Sequence, residues 1–138
     1  MKYLLFSLLL AGACPAMAQA VQPGGDKDIR LQTPAELTKT AAELEQALIM
    51  QPNNIEYNIK LGFTYTRLGR ADDAQRVFET VVRLDPKKAI AHYMLGLIYE
   101  KEGLEEKAIA AWTACLANAT EPRLHDTALK HLNNLKAQ

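Results

Sequence analysis

The chain has 138 residues, in which 16 Lys and Arg balance 16 Asp and Glu. That length is one domain's worth, and a net charge of zero excludes nucleic acid or an acidic membrane surface as a partner held by bulk charge. Hydrophobic residues at 49% and charged residues at 23% make a globular composition rather than a disordered one. Residues 1–18 read as a signal peptide. Lys2 is the positive start, and Tyr3 to Ala13 is an apolar run broken only by Ser7, too short for the roughly twenty residues of a spanning helix. Ala16-Met17-Ala18 places small residues at the cleavage site, so Gln19 is the expected mature N-terminus, with Val21 as the second choice. The expected location is the periplasm. Another reading stays open: Cys14 follows Leu10-Ala11-Gly12-Ala13, a lipoprotein-like run with its Leu one place too early, and lipid on Cys14 would anchor the chain to the envelope membrane.

Residues 19–32 hold Pro23-Gly24-Gly25-Asp26 and little apolar pattern, which reads as a flexible leader. From Thr33 to the end the pattern is helical, giving one domain over 33–138. The first helix opens on the capping box Thr33-Pro34-Ala35-Glu36 and stops near Met50, before Pro52. The second runs from Asn54 to Leu68, the third from Ala71 to Leu84, the fourth from Lys88 to Glu102. The fifth covers Leu104 to Asn118 and the sixth Pro122 to Lys136. In the sixth, Leu124, Ala128, Leu132 and Leu135 share one face, as a terminal cap with a polar outer surface requires.

A shift of 34 residues superimposes Leu61 on Leu95, Gly62 on Gly96, Tyr65 on Tyr99 and Gly69 on Gly103. It also superimposes Ala74 on Ala108, Phe78 on Trp112, Val81 on Cys115 and Pro52 on Pro86. In this period and residue pattern the chain resembles the tetratricopeptide family. The resemblance implies an all-α fold, a short right-handed solenoid of antiparallel helix pairs with about two full repeats and a half-repeat at each end. The second repeat departs from the pattern with Thr120 where Pro belongs, and Asn58 and His92 stand where the family has an early Trp. Gly62 and Gly96 lie inside helices at a cost of roughly 1 kcal/mol each against Ala, which implies close helix approach, with Ala74 and Ala108 as the expected facing residues. Gly69 and Gly103 supply left-handed helix ends.

Little in the chain points to catalysis or to a cofactor. Cys115 falls on the inner stripe beside Trp112, which is a structural place. His125 and His131 are wrongly spaced to share a helix face as metal ligands, and no phosphate loop or nucleophile elbow is present. The helix-opening acids Asp72, Asp73, Glu105 and Glu106 favour the helix dipole, with forward pairs expected for Asp72 with Arg76 and Glu79 with Arg83.

The unusual feature is a second apolar stripe on the second and fourth helices: Ile55, Ile59 and Phe63, then Ile90, Tyr93 and Leu97. The third helix has a single stripe, Ala74, Val77, Phe78 and Val81. The family resemblance implies that the first helices of the repeats line a concave ligand groove. Its positions fall here on Ile59, Phe63, Thr66 and Arg67, then Ile90, Tyr93, Leu97, Glu100 and Lys101. Apolar residues stand where some family members use Lys and Asn to hold a peptide carboxylate. The expected partner is an unidentified protein or peptide with an apolar or amphipathic segment. Three occupants stay open for so apolar a face: such a partner, a second copy of the chain in a homodimer, or residues 19–32 folded back on it.

Overall fold

The computed structural model describes residues 22–25 and 27–137; the expected signal peptide and Cys14 lie outside the described residues. Among the described residues every regular element is helical: α1 (Pro34–Met50), α2 (Ile55–Arg67), α3 (Ala71–Leu84), α4 (Ala89–Lys101), α5 (Glu105–Asn118) and α6 (Pro122–Lys136), after a 3-10 turn at Ile29–Leu31. No helix among the described residues is long and apolar enough to cross a membrane. The elements match the periodicity to within a residue or two at each end.

Local chemistry sets these ends. Thr33 and Glu36 form the full capping box, each side chain taking the other's backbone N–H, at 2.7 and 3.3 Å. Asn54 Oδ1 accepts from the Tyr57 N–H at 3.0 Å to open α2. Gly69 and Gly103 close α2 and α4 with φ of +73° and +71°. In both, paired hydrogen bonds lock the turn: Arg70 N–H to Tyr65 O and Gly69 N–H to Thr66 O, then Leu104 N–H to Tyr99 O and Gly103 N–H to Glu100 O. The residues standing in for the early Trp have a job of their own. Asn58 Nδ2 donates to the Pro52 carbonyl at 3.2 Å, and His92 Nε2 to the Pro86 carbonyl at 2.7 Å, tying each first helix to the turn before it.

The helices pair as α2 with α3 and α4 with α5, α1 packs on α2, and α6 lies on α5 and touches α4. The core runs through these pairs: Leu44, Leu61, Phe78, Val81, Ala91, Leu95, Trp112 and Cys115 are all buried. What faces Gly62 and Gly96 is aromatic rather than the small alanines. A Cβ on Gly62 would stand 2.6 Å from the Phe78 ring, and one on Gly96 2.6 Å from the Trp112 indole. Glycine is needed there because a large ring of the second helix closes on the backbone of the first, with Ala74 and Ala108 buried in the same core. The α4 helix is buried beyond the two expected stripes, with Met94 and Ile98 also inside, because α3, α5 and α6 all pack on it.

The described residues of the leader lie against α1 and α2. Gly24 is buried, and its N–H donates to Glu43 Oε2 at 3.1 Å. Lys60 Nζ donates to the carbonyls of Pro23 and Gly25 at 3.3 and 3.1 Å. Gln32 is buried and takes the Thr40 hydroxyl at 2.9 Å. The repeat explains why this chain segment settles there. Moved back by one repeat, Ala74 on α3 falls on Thr40, and Met94 on α4 falls on Lys60. Those are positions that a preceding first helix would cover. None exists upstream of α1 among the described residues, and the leader lies in its place.

Candidate functional site

The first helices α2, α4 and α6 share one face of the array. On α2, Phe63 is held edge-on to Phe78, ring centroids 5.5 Å apart, and on α4 Tyr93 is held edge-on to Trp112 at 5.4 Å. Both rings, with Ile59 and Leu97, are half-buried with one flank packed on the core, and Ile90 is half-buried as well. Thr66 of α2 and Leu97 and Lys101 of α4 line a common crevice of about 170 Å³ floored by Ala74, Met94 and Ile98. Of the positions predicted on α2 and α4, Thr66, Leu97 and Lys101 share this crevice, while Ile59 and Phe63 line a separate cavity beside the leader. Arg67 and Lys101 are exposed at the rim. Glu100 is not free at that rim, because its Oε2 lies 2.7 Å from His131 Nδ1 on α6.

The α6 side of this face was not singled out from the sequence. Carried one repeat further, the shift that aligns Ile59 and Phe63 with Tyr93 and Leu97 reaches Leu124, Thr127, His131, Asn134 and Leu135. Of these, His131 has the clearest structural role. Its ring stacks on Trp112 at 4.4 Å and 17°, and with the Glu100 bond it pins α6 to both helices of the preceding pair. A lone His offers no periodic signal of such a contact. Only the repeat spacing could have found it.

Polar ties join successive repeats beneath the face. The Tyr65 hydroxyl donates to Glu45 on α1, and the Tyr99 hydroxyl donates to Glu79 on α3 at 2.8 Å. Glu79 also takes Gln75 Nε2 at 2.8 Å and makes no pair with Arg83. The expected pair of Asp72 with Arg76 is likewise replaced, since Arg70 and Arg76 both converge on Asp73. The spacing rule for exposed helix pairs fails here because Glu79 is turned inward, toward the next repeat. Burial, with the Glu45 carboxylate beside it, pushes the Tyr65 phenol up to about 12. The Tyr99 phenol is pushed up further by burial and then by Glu79. Raised folded-state values mean that this stability is whole below pH 10, the unfolded tyrosine range, and is lost as pH climbs through the folded values. Urea melts should therefore show stability falling between pH 9.5 and 12. A chain carrying Tyr65→Phe and Tyr99→Phe should fall less over that window. Parallel losses in the two chains would refute the assignment.

Chemistry at this face is limited. Cys115 is fully buried and burial raises its thiol, so the nucleophilic thiolate is disfavoured. Among the described residues no group of three His, Cys, Asp or Glu could hold a metal ion. What the face presents is aromatic and aliphatic flank with a charged rim, which suits contact with another polypeptide.

The comparisons with known proteins agree with this architecture. Residues 59–119 match the family model of the tetratricopeptide repeat. No curated protein matches the chain. Among solved structures, the chain is similar to one described as the crystal structure of MamA, at 25% identity and a TM-score of 0.61, covering 75% of this chain and 68% of that one. It is similar in fold to a second, described as MamA MSR-1 C2, at 20% identity and a TM-score of 0.51, covering 73% of this chain and 66% of that one. The 34-residue spacing, the glycine-on-aromatic contacts and the matched residues 59–119 converge: that stretch carries tetratricopeptide repeats, and the chain folds as a short right-handed solenoid of antiparallel helix pairs like the structures it resembles.

Proposed function

We propose that the chain is an exported adaptor of the cell envelope, which binds an unidentified protein or peptide through the face shared by α2, α4 and α6. The repeat fold supports protein–protein interaction in general. The observation that carries the finer reading is the half-burial of Ile59, Phe63, Ile90, Tyr93 and Leu97, five large apolar side chains on one face with no further layer among the described residues over the α4 part. Such a surface favours an apolar or amphipathic segment. Arg67 and Lys101 at the rim would orient it, and salt would weaken the contact only slightly, since apolar burial dominates.

Because Phe63 and Leu97 also pack on the core, charge substitutions there would disturb folding as well as binding. Photo-crosslinking side chains separate the two. Placed at positions 93 and 97, they should crosslink to the partner in intact cells. Placed at the exposed convex positions 83 and 110, they should not. Crosslinks from 83 and 110 alone would move the interaction surface to the other side of the array. Export is tested by the intact mass of the same product, expected to begin at Gln19. A lipid mass on Cys14 would make the chain a tethered envelope component, and an untrimmed Met1 would remove both readings.

A further inference from the structure

No helix precedes the 3-10 turn at Ile29–Leu31 and α1 among the described residues, and the slot beside α1 and α2 reads main chain. Its walls carry two charged side chains that bind backbone: Glu43 takes the Gly24 N–H at 3.1 Å, and Lys60 donates to the Pro23 and Gly25 carbonyls at 3.3 and 3.1 Å. Between them the slot favours a glycine. Gly24 has φ +87°, and a Cβ there would meet Lys60 Cε at 3.0 Å and Thr40 Cγ2 at 3.1 Å. Further along, Ile29 shares a cavity of about 400 Å³ with Tyr57, Ile59 and Phe63. Asp28 is held low, to about 2, chiefly by its bond to Arg30, and Arg67 of α2 adds to the field on it. The seat is nonetheless shallow. Leu31 is 72% exposed and Ile29 only half-buried, so little apolar area holds the segment down.

We propose that the slot between α1 and α2 is a peptide site that reads main chain through Glu43 and Lys60, and that residues 22–25 and 27–31 are its built-in occupant, excluding other segments until displaced. The ligand class is a polypeptide with a tight turn that sets a glycine between two exposed carbonyls, as Gly25 N–H to Gln22 O closes it here, and an acid-aliphatic pair a few residues on. The inference rests on the observed contacts of the leader, and stands whether or not the α4 part of the shared face binds a partner.

The test uses the full mature chain and a fluorescent peptide copying residues 21–32. A tethered occupant acts at an effective concentration of about a millimolar, so the unaltered chain should bind the free peptide poorly. A chain carrying Gly24→Val and Ile29→Asp should release its own leader and bind the peptide at least about tenfold more tightly by anisotropy. Adding Glu43→Gln and Lys60→Met to that chain should abolish the gain. Equal binding by the unaltered and released chains, no binding by either, or binding indifferent to Glu43 and Lys60 would each overturn the proposal. Should the released chain not fold, amide exchange in Lys60→Met alone decides the matter. Gly24 should lose protection while α2 to α5 keep theirs, and a protected Gly24 would overturn the proposal.

Discussion

Trp112→Ala is expected to destabilise the domain by about 3–5 kcal/mol, the usual cost of a large buried cavity. Trp112 is 0% exposed and is the largest fully buried side chain. From α5 it touches two other helices: its ring covers Gly96 on α4, packs edge-on with Tyr93 of the same helix, and stacks under His131 of α6. Its loss removes the contact on which α4, α5 and α6 converge, whereas α2 and α3 keep their own, Phe78 over Gly62. In an array where each pair touches only its neighbours, damage stays local first. Amide exchange should therefore show α5 and α6 opening well before α2 and α3. Trp112→Phe should cost far less. Phe already fills this place at position 78, and the change removes an indole Nε1 that is buried with no hydrogen-bond partner among the described residues. A melting point for Trp112→Ala within a few degrees of the parent would refute the cavity argument, since 1 kcal/mol shifts a domain of this size by roughly 4–8 °C.

Gly96→Leu is expected to leave little folded protein. Its Cβ alone would lie 2.6 Å from Trp112 Cε2 and 2.7 Å from Cδ2, and the rest of the side chain has nowhere to go but into the indole. Overpacking of a core typically costs 1–3 kcal/mol, and here it falls on a fully buried ring with no room to retreat. The more discriminating experiment is Gly96→Ala in two backgrounds. Helix propensity favours Ala over Gly by about 1 kcal/mol. With Trp112 in place the clash should outweigh that gain, so the change destabilises. With Trp112→Ala the ring is gone, and the same change should stabilise by up to roughly 1 kcal/mol. A reversal of sign is the signature of direct contact between the two positions. The same sign in both backgrounds would place the cost of Gly96→Ala elsewhere.

Much of this protein is legible in its sequence, because its information is periodic. The helix ends are written in local chemistry that needs no partner: Thr33 and Glu36 satisfy each other, Asn54 caps α2, and Gly69 and Gly103 take a conformation that other residues avoid. The 34-residue spacing turns six helices into a stack without further assumption, since a repeat that cannot bury its own apolar face must pack on the next. The positions of the candidate face follow from the same spacing, which is why Ile59, Phe63, Tyr93 and Leu97 fall on one side.

The tertiary structure alone decided the contacts between residues that periodicity treats as independent. Sequence marks Gly96 as a point of close approach, but only packing shows that an indole, and not Ala108, closes on it. Spacing rules pair Glu79 with Arg83 on an exposed surface, yet Glu79 turns inward to the Tyr99 hydroxyl of the next repeat. His131 looks like a surface residue of a capping helix until Trp112 is found beneath it. The leader is the largest such case. Its Pro and Gly content describes a chain with no structure of its own, which is correct as local chemistry. Its described residues are placed by what they meet, because α1 and α2 leave open a slot with Glu43 and Lys60 there to bind main chain. Local sequence fixes how a segment can bend, and long-range complementarity fixes where it comes to rest.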